Sequence, residues 1–454
     1  VLGQDGLSYA PADDVTLPQL RNRLAGWNGD PGANPDIGWR TVGEYLERCD
    51  RGMAVNAAYL VPHGNVRMLV MGWDAGPASA DQLQRMCALV AAGLEQGAVG
   101  LSMGLTYTPG MYADTSELVA LCTTVASYGG FFAPHHRSYG ANALAAYEEM
   151  LDVSRRSGAP VHFAHATMNF AVNRGRAGEL LSLLDAAIAD GVDVTLDSYP
   201  YLAGSTTLAA LLPSWASEGG PERLGERLRS PSERARIVHA LDVEGSDGSH
   251  GVPCEWSAIQ INGVRRPANS ALVGRTVAEI AADEGRPPAE VFLDVLLADD
   301  GGTTCLMHVG HEDNVRAIMR HPAHMGGSDG LLVGDRPHPR AWGTFPRYLG
   351  HYAREEGVLS LPECVAHLTS RPARRLGLRD RGVVAEGYVA DLVLFDPATV
   401  AEAATFADPR RPPIGIPYVF VNGRLVIDEG ARTIELPGRA VRRTAPALTS
   451  GEPA

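Results

Sequence analysis

The sequence lacks the features that would place it in a membrane or in the secretory pathway. No apolar run reaches the roughly 18 residues that a transmembrane helix needs. No basic segment followed by an apolar stretch predicts a signal peptide. Positive charge is also scarce, because 39 Lys and Arg residues face 53 Asp and Glu residues and leave a net charge of −14. A surface this acidic argues against a nucleic acid or an anionic membrane as partner.

Cysteine is sparse and unpaired in the sequence. The 454 residues contain six cysteines and no CxxC pair. Scattered cysteines in a chain of this length indicate reduced thiols rather than a disulfide framework, and they predict a cytoplasmic location. The six positions are Cys49, Cys87, Cys122, Cys254, Cys305 and Cys364.

A repeated strand–helix pattern occupies most of the chain. From about residue 55 to residue 335, short apolar runs such as 57–61 and 192–197 alternate with amphipathic stretches such as 81–96. This alternation predicts a parallel α/β sheet. No GxGxxG follows the first strand-like run, and polar residues cluster at the carboxyl ends of the runs instead. We therefore predict a TIM-like (β/α)8 barrel rather than a doubly wound sheet.

The pattern changes twice along the chain. Residues 212–312 are richer in Gly, Pro, Ser and charge, and we interpret them as an excursion near the active site within a barrel domain of residues 1–376. Residues 359–376 read as a helix that ends this domain. Residues 377–438 read as short strands, which predict the C-terminal part of a small β-sandwich. The tail, 439–454, is expected to be partly disordered.

Three polar residues follow predicted strands. His135 comes directly after the apolar run 131–134, and His165 ends the run 161–165, in which His162 points to the other face. Asp329 lies between small residues after another apolar approach. A lone buried histidine is more often a structural residue, and an Asp beside Gly is often a turn. Two histidines at the ends of successive parallel strands, however, favour a shared divalent metal such as zinc.

These residues together predict a hydrolase. Two imidazoles would hold a Lewis-acidic metal, and Asp329 would act as the acid/base that activates water and protonates a leaving nitrogen. Arg340 lies in a loop with two further arginines, which could bind a substrate carboxylate in a bidentate manner or could simply be solvated.

A series of spaced motifs resembles the N-acyl-D-amino-acid deacylase (D-aminoacylase) family of the amidohydrolase superfamily. The motifs are Gln4-Asp5-Gly6, Val61-Pro62-His63-Gly64, Gly100-Leu101-Ser102, Pro109-Gly110, His135-His136-Arg137, Asp197-Ser198-Tyr199-Pro200-Tyr201, Gly327-Ser328-Asp329-Gly330, His338-Pro339-Arg340, Thr369-Ser370-Arg371-Pro372-Ala373 and Gly387-Tyr388-Val389-Ala390-Asp391.

The resemblance implies a barrel with a small β-sandwich, one or two zinc ions, and hydrolysis of N-acyl-D-amino acids or related small N-acylated metabolites. The residues that it implies have four roles. They are His135 and His165 with Asp5 as metal ligands, Asp329 as catalytic acid/base, Tyr199, Ser205 and Arg340 as substrate-binding residues, and His63 and Arg137 as residues that support the site.

The chain departs from the family pattern at three places. Asp5 stands where the family usually has a cysteine metal ligand, and Asp can bind zinc through oxygen. Thr167 stands where the family often has a lysine that helps to hold the substrate carboxylate. The family's His-x-His and its first barrel strand would lie upstream of Asp5. We therefore expect a complementing N-terminal polypeptide, without which the barrel would have two open edges.

Two alternatives remain open at this point. One is a hydrolase of cyclic amides, and the other is a non-catalytic scaffold that keeps the barrel for binding. The expected partner is a small N-acylated substrate, and a homo-oligomer is compatible with the sequence.

Overall fold

The structure is a computed structural model that describes residues 1–28 and 37–443. Its strands are, in chain order, β1 (Leu60–Pro62), β2 (Gly100–Gly104), β3 (Phe131–His135), β4 (Val161–Phe163), β5 (Val194–Ser198), β6 (Ala203–Thr207), β7 (Ile259–Gly263), β8 (Thr304–His308), β9 (His324–Gly326), β10 (Leu392–Leu394), β11 (Tyr418–Val421), β12 (Arg424–Asp428) and β13 (Ala431–Arg432).

The α-helices connect and cover these strands. They are α1 (Thr16–Asn28), α2 (Val42–Asp50), α3 (His63–Met71), α4 (Ala80–Glu95), α5 (Thr115–Ser127), α6 (Ala143–Ser157), α7 (Ala177–Ala189), α8 (Pro221–Arg229), α9 (Pro231–His239), α10 (Val277–Glu284), α11 (Pro288–Ala298), α12 (Glu312–Met319), α13 (Arg340–Arg347), α14 (Leu361–Leu368) and α15 (Ser370–Arg375). Among the described helices, none is both long and apolar enough to cross a membrane.

A parallel sheet in the order β1-β2-β3-β4-β5-β9 forms the main body. Its helix-facing side carries large apolar residues from successive strands, including Val61, Leu101, Phe132, Phe163 and Leu196, all 0% exposed. Burial of each such side chain stabilises the fold by about 1.5–3 kcal/mol. The alternating positions point to the inside of the curved sheet, so polar residues near the strand ends reach a common interior.

The curved sheet is open on one side. Leu2 forms a parallel bridge with Tyr59 beside β1, whereas β9 forms the opposite edge. Between these edges lies a cavity of about 540 Å³, which residues including Leu2, His162, Asp197 and Met325 line. Among the described residues the sheet therefore has the strand order of a barrel without closing.

A second layer is inserted between β5 and β9. Strands β6, β8 and β7 form an antiparallel sheet in that order, with β8 in the centre, and helices α8–α11 lie between these strands along the chain. This unit has its own core, in which Ile261, Phe292 and Cys305 are 0% exposed. This unit begins with β6. The sequence pattern had placed its start further along the chain, at residue 212. The difference matters because β6 contributes to the site described below.

The C-terminal residues form a small antiparallel sheet, β10-β11-β12-β13. After it, the chain returns to the main body, where Ala440 forms a bridge with Ala57, and Arg442 binds the carboxylate of Asp50 at 2.5 Å. Residues 439–443 of the predicted tail are therefore held against the barrel. The rest of that tail, 444–454, lies outside the described residues.

The helix predicted over residues 359–376 is two helices. α14 ends at Leu368, and α15 begins at Ser370, with Thr369 between them at φ −131°. Pro372 explains the break, because it has no N–H group to donate to the carbonyl oxygen of Leu368.

Candidate active site

Asp5, His135 and His165 bring one carboxylate and two imidazoles to a single point. Asp5 lies in a 3-10 turn beside β2, His135 ends β3, and His165 follows β4. Nε2 of His165 lies 3.2 Å from Oδ1 of Asp5 and 3.1 Å from Nδ1 of His135. Nδ1 of His135 lies 3.9 Å from the same carboxylate oxygen. Ligand atoms around one tetrahedral zinc ion, at bonds of about 2.0–2.1 Å, lie roughly 3.3 Å apart, so this spacing and this donor set fit a zinc ion.

The backbone is strained at three of the predicted site residues. The φ angle is 54° at Asp5, 35° at His165 and 44° at Asp329. Non-glycine residues seldom adopt this left-handed region, and such conformations are retained where the surrounding structure fixes them, often at functional sites.

Two further hydroxyl groups orient the histidines. Oγ1 of Thr106 lies 2.7 Å from Nε2 of His135, and the Tyr139 hydroxyl lies 3.1 Å from Nδ1 of His165. These contacts leave Nδ1 of His135 and Nε2 of His165 to face the ion position. Neither residue was predicted from the sequence, although Thr106 precedes the Pro109-Gly110 motif and Tyr139 follows the His135 motif closely.

Asp197 supports the strained turn at His165 from below. Its Oδ1 accepts the backbone N–H of His165 at 2.7 Å, and its Oδ2 lies 3.0 Å from Nε2 of His162. Burial alone would raise the pKa of Asp197, but the hydrogen bond and charge of His162 and the charge of His165 outweigh burial and lower it. Asp197 lies within a motif named in the sequence, but this role does not follow from the motif.

The two histidines among the proposed ligands differ in the direction in which their pKa is shifted. Burial holds the pKa of His135 well below its ordinary value, so this imidazole is neutral. Burial would also lower the pKa of His165, but the charge and hydrogen bond of Asp5, with the charge of Asp329, raise it to about 9. Without a metal, a proton on His165 thus balances the local negative charge. A divalent cation would satisfy the same charge and release that proton.

Asp329 and Arg340 form an ion pair next to these ligands, in which the arginine is buried and the carboxylate is partly buried. Nη2 of Arg340 lies 2.7 Å from Oδ2 of Asp329, and the Arg340 guanidinium lies 4.4 Å from the ring centre of Tyr199. Burial raises the pKa of Asp329 to about 6, although Arg340 and His165 act to lower it. Asp329 is therefore ionised near neutral pH and can still accept a proton. Nε and Nη1 of Arg340 are buried without a hydrogen-bond partner.

A cavity of about 80 Å³ joins these groups to the inserted layer. On the barrel side, Asp5, His135, His165 and Asp329 line it. From the insertion come Ser205, whose Oγ is buried without a hydrogen-bond partner, and an apolar wall. The apolar wall comprises Phe170 on the barrel side and Ala210, Leu211, Met307 and Val309 in or beside the insertion. Thr167 also lines the cavity, and its hydroxyl donates to Oδ1 of Asn169 at 2.7 Å.

His63 and Arg137, which were predicted to support the site, hold carboxylates of the helix layer. Nε2 of His63 lies 2.7 Å from Oε1 of Glu117, which Arg67 also binds. Nε of Arg137 donates to Glu149 at 2.8 Å. In the described part of the chain, their recorded contacts reach none of the three proposed metal ligands, so a supporting role for either residue stays a prediction.

Comparison with known proteins identifies the family of the chain. The model described as "Amidohydrolase family" matches residues 12–427. The chain belongs to the amidohydrolase family. This amidohydrolase is 36% identical over 446 residues to the D-aminoacylase of Alcaligenes xylosoxydans xylosoxydans, covering 98% of this chain and 81% of that protein. It is 35% identical to the N-acyl-D-glutamate deacylase of the same organism, covering 98% and 80% of the two chains.

A solved structure gives the same result at the level of the fold. The crystal structure of the N-acyl-D-glutamate deacylase from Bordetella bronchiseptica, complexed with zinc and a phosphonate mimic of the tetrahedral intermediate, superposes with a TM-score of 0.78. The alignment has 32% identity and covers 97% of this amidohydrolase and 81% of that chain. The predicted family and the predicted TIM-like fold class are thereby confirmed.

Proposed function

We propose that this amidohydrolase uses zinc to hydrolyse the amide bond of N-acyl-D-amino acids or related small N-acylated metabolites. The observation that carries the proposal is a single cavity, lined by the Asp5, His135 and His165 cluster and by Asp329, whose carboxylate pairs with Arg340. The cluster supplies the ligands for an ion, and Asp329 supplies a titratable group.

Asp5, His135 and His165 would hold the ion, with Thr106 and Tyr139 fixing the imidazole rings. When zinc is bound, the chemistry that it supplies is Lewis acidity toward the substrate carbonyl and toward water. Asp329 accepts a proton from the attacking water, because its pKa of about 6 leaves it ionised near neutral pH. Asp329 then gives this proton to the nitrogen as the C–N bond breaks, which releases a carboxylic acid and a free amine.

Arg340 would bind the carboxylate of the amino-acid part. It is 1% exposed, and two of its donor nitrogens have no hydrogen-bond partner. A buried guanidinium with unused donors is costly unless an anion completes its hydrogen bonds. Tyr199 holds the guanidinium from one face, and the Ser205 hydroxyl offers a further donor on the cavity wall. Asp329 would thus transfer the proton and also pair with the arginine that binds the substrate carboxylate.

The choice of D-configured, linear substrates is supported by the relatives, which are D-aminoacylase, N-acyl-D-glutamate deacylase and N-acyl-D-aspartate deacylase. The test is turnover by zinc-loaded protein of N-acetyl-D-methionine, N-acetyl-D-glutamate and N-acetyl-D-aspartate, each beside its L-enantiomer, with a hydantoin as the cyclic amide. Hydrolysis of the D-compounds alone is expected. Hydantoin turnover without N-acetyl hydrolysis would support the cyclic-amide alternative, and zinc-loaded protein without any turnover would support the scaffold.

We also propose that a further polypeptide segment adds a strand between Leu2 and β9. Two sheet edges and the cavity of about 540 Å³ between them support this proposal, because unpaired edges and an open interior destabilise a barrel. Native mass spectrometry of protein purified from its own host is the test. An added polypeptide mass supports the proposal, and a chain that is monodisperse, stable and catalytically competent by itself contradicts it. The same spectrum reports a homo-oligomer.

A cytoplasmic location is also proposed. All six cysteines are free, and four of them are buried, which fits a reducing compartment. Fractionation of host cells with a periplasmic and a cytoplasmic marker would test it.

A further inference from the structure

A second cavity of about 200 Å³ lies behind one wall of the reaction cavity. Thr106, Tyr107 and Ala210 line both cavities, so this wall is thin. The second cavity, here called the Arg23 cavity, is enclosed by α1, the end of α3 and the beginning of the insertion. Its largely apolar lining includes Leu7, Trp27, Trp73, Met111, Leu212, Pro221 and Leu224.

Among the described residues, three charged side chains line the Arg23 cavity, and two of them are already engaged. Arg265 donates to Oδ1 of Asn22 at 2.7 Å, and Asp300 is bound by Arg266. The third is Arg23. The charge facing the cavity is therefore positive.

Arg23 has only weak partners among the described residues. Its Nη1 donates to Oγ1 of Thr108 at 3.0 Å, and its guanidinium lies 5.2 Å from the ring centre of Trp73. No ion pair with a carboxylate is recorded for it in residues 1–28 and 37–443. Burial lowers the pKa of Arg23 to about 10, which still leaves it charged at neutral pH. A buried cation that has one neutral hydrogen-bond partner destabilises the fold until an anion pairs with it.

A polar group of Trp27, one turn along the helix from Arg23, lacks a hydrogen-bond partner. Nε1 of Trp27 is buried without a hydrogen-bond partner, although an indole N–H normally has one when it is buried. Trp27 also packs edge-on against Tyr107, with ring centres 5.0 Å apart. The cavity thus combines a guanidinium and an unused N–H donor with apolar and aromatic walls.

We infer that the Arg23 cavity binds a small organic carboxylate with an apolar or aromatic body. The carboxylate would accept hydrogen bonds from Arg23, and the body would pack between Trp27 and Trp73. This chemistry differs from that of the reaction cavity, because no member of the Asp5, His135 and His165 cluster lines the Arg23 cavity. The inference does not depend on the proposed hydrolysis.

Phenylacetate and 2-phenylethanol form a matched pair of probes, since both carry the same ring and neither contains an amide. Binding to the full chain is measured at pH 7.5 by calorimetry and by tryptophan fluorescence, which Trp27 and Trp73 report directly. Phenylacetate is expected to bind about 10–100-fold more tightly, the value of a charge-assisted hydrogen bond. Equal affinity for the two probes would overturn the inference without the need for any variant.

Variants then distinguish the two cavities. Arg23→Gln is expected to remove the preference for phenylacetate, whereas Arg23→Lys keeps the charge and part of the preference. Arg340→Met tests binding beside Asp329 of the reaction cavity. Arg176→Gln is a control for a partly exposed arginine, which pairs with Glu179 at 2.8 Å. Both should bind phenylacetate as the unaltered protein does. Loss of binding in Arg340→Met with retention in Arg23→Gln would place the carboxylate in the reaction cavity and refute the inference. If Arg23→Gln does not fold, the comparison of the two probes and the Arg23→Lys variant still test the inference.

Discussion

The guanidinium of Arg340 lies 2.7 Å from the carboxylate of Asp329, and that arginine is 1% exposed. The pair couples the group proposed to move a proton with the group proposed to bind substrate. A change in either residue is therefore expected to alter both the rate and the pH dependence of hydrolysis.

Asp329→Asn should retain the metal and lose kcat by roughly 10²–10⁴-fold, because the amide cannot take up the proton of water. Zinc content and kcat are measured on the same preparation. Asp335→Asn, an exposed neighbour, is the matched control and should retain activity. Near-normal turnover by Asp329→Asn would mean that Asp329 is only a turn residue.

Arg340→Met should lower kcat/KM about 10–100-fold, the value of one or more lost charge-assisted hydrogen bonds. Arg340 also lowers the pKa of Asp329, which is about 6. Without this cation the pKa rises, so Asp329 becomes protonated at a higher pH and the acid limb of the pH–rate profile moves upward. Arg336→Met, an exposed arginine of the same loop, should leave the profile in place. An unchanged acid limb in Arg340→Met would show that the ionisation of Asp329 does not control the rate.

Asp5→Ala should lose zinc, and Asp5→Cys should retain it, because a thiolate is also a zinc ligand. Competition with a chromogenic chelator measures the affinity independently of activity. Undiminished zinc affinity in Asp5→Ala would exclude Asp5 from the coordination sphere.

Tyr139→Phe should weaken zinc binding about 10–100-fold, the usual effect of removing a partner that orients a histidine ligand. The matched control is Tyr147→Phe, whose hydroxyl lies in the same aromatic cluster but donates to the carbonyl oxygen of Thr167 at 3.1 Å. Equal zinc affinities in the two variants would contradict the orienting role of Tyr139.

The free energy of unfolding should decrease as the pH drops below about 6.5, the ordinary pKa of histidine. Nε2 of His338 lies 2.9 Å from the carbonyl oxygen of Ala203, its Nδ1 accepts the N–H of Arg340 at 3.0 Å, and burial holds its pKa well below the ordinary value. Between the two pKa values the unfolded chain binds the additional proton, so stability is present above pH 6.5 and is lost as pH falls.

Urea unfolding of chelator-treated protein at pH 7.5 and 5.5 measures this effect. The difference between the two free energies of unfolding should be smaller in His338→Gln than in the unaltered protein, by up to about 1.4 kcal/mol per pH unit. An identical difference in both proteins would show that His338 is not held neutral by the fold.

The site residues that could be predicted from the sequence are those that lie at strand ends or within family motifs. That His135 and His165 lie close together could be predicted because carboxyl ends of neighbouring parallel strands meet at one edge, and Asp5 was included because of the motif around it. Tyr139 and Thr106 could not, since neither follows from strand alternation and their contacts depend on how two loops cross above the sheet. The early start of the insertion at β6 was missed because Gly204, Ser205 and Thr206 lack the apolar alternation of a strand.

The positive φ angles of Asp5, His165 and Asp329 set the chemistry of the site against the preference of the local backbone. Each such conformation costs on the order of 1–3 kcal/mol. Glycine would relieve that cost at all three positions and would remove two proposed ligands and the proposed acid/base. Substitution for stability alone would therefore remove the proposed site.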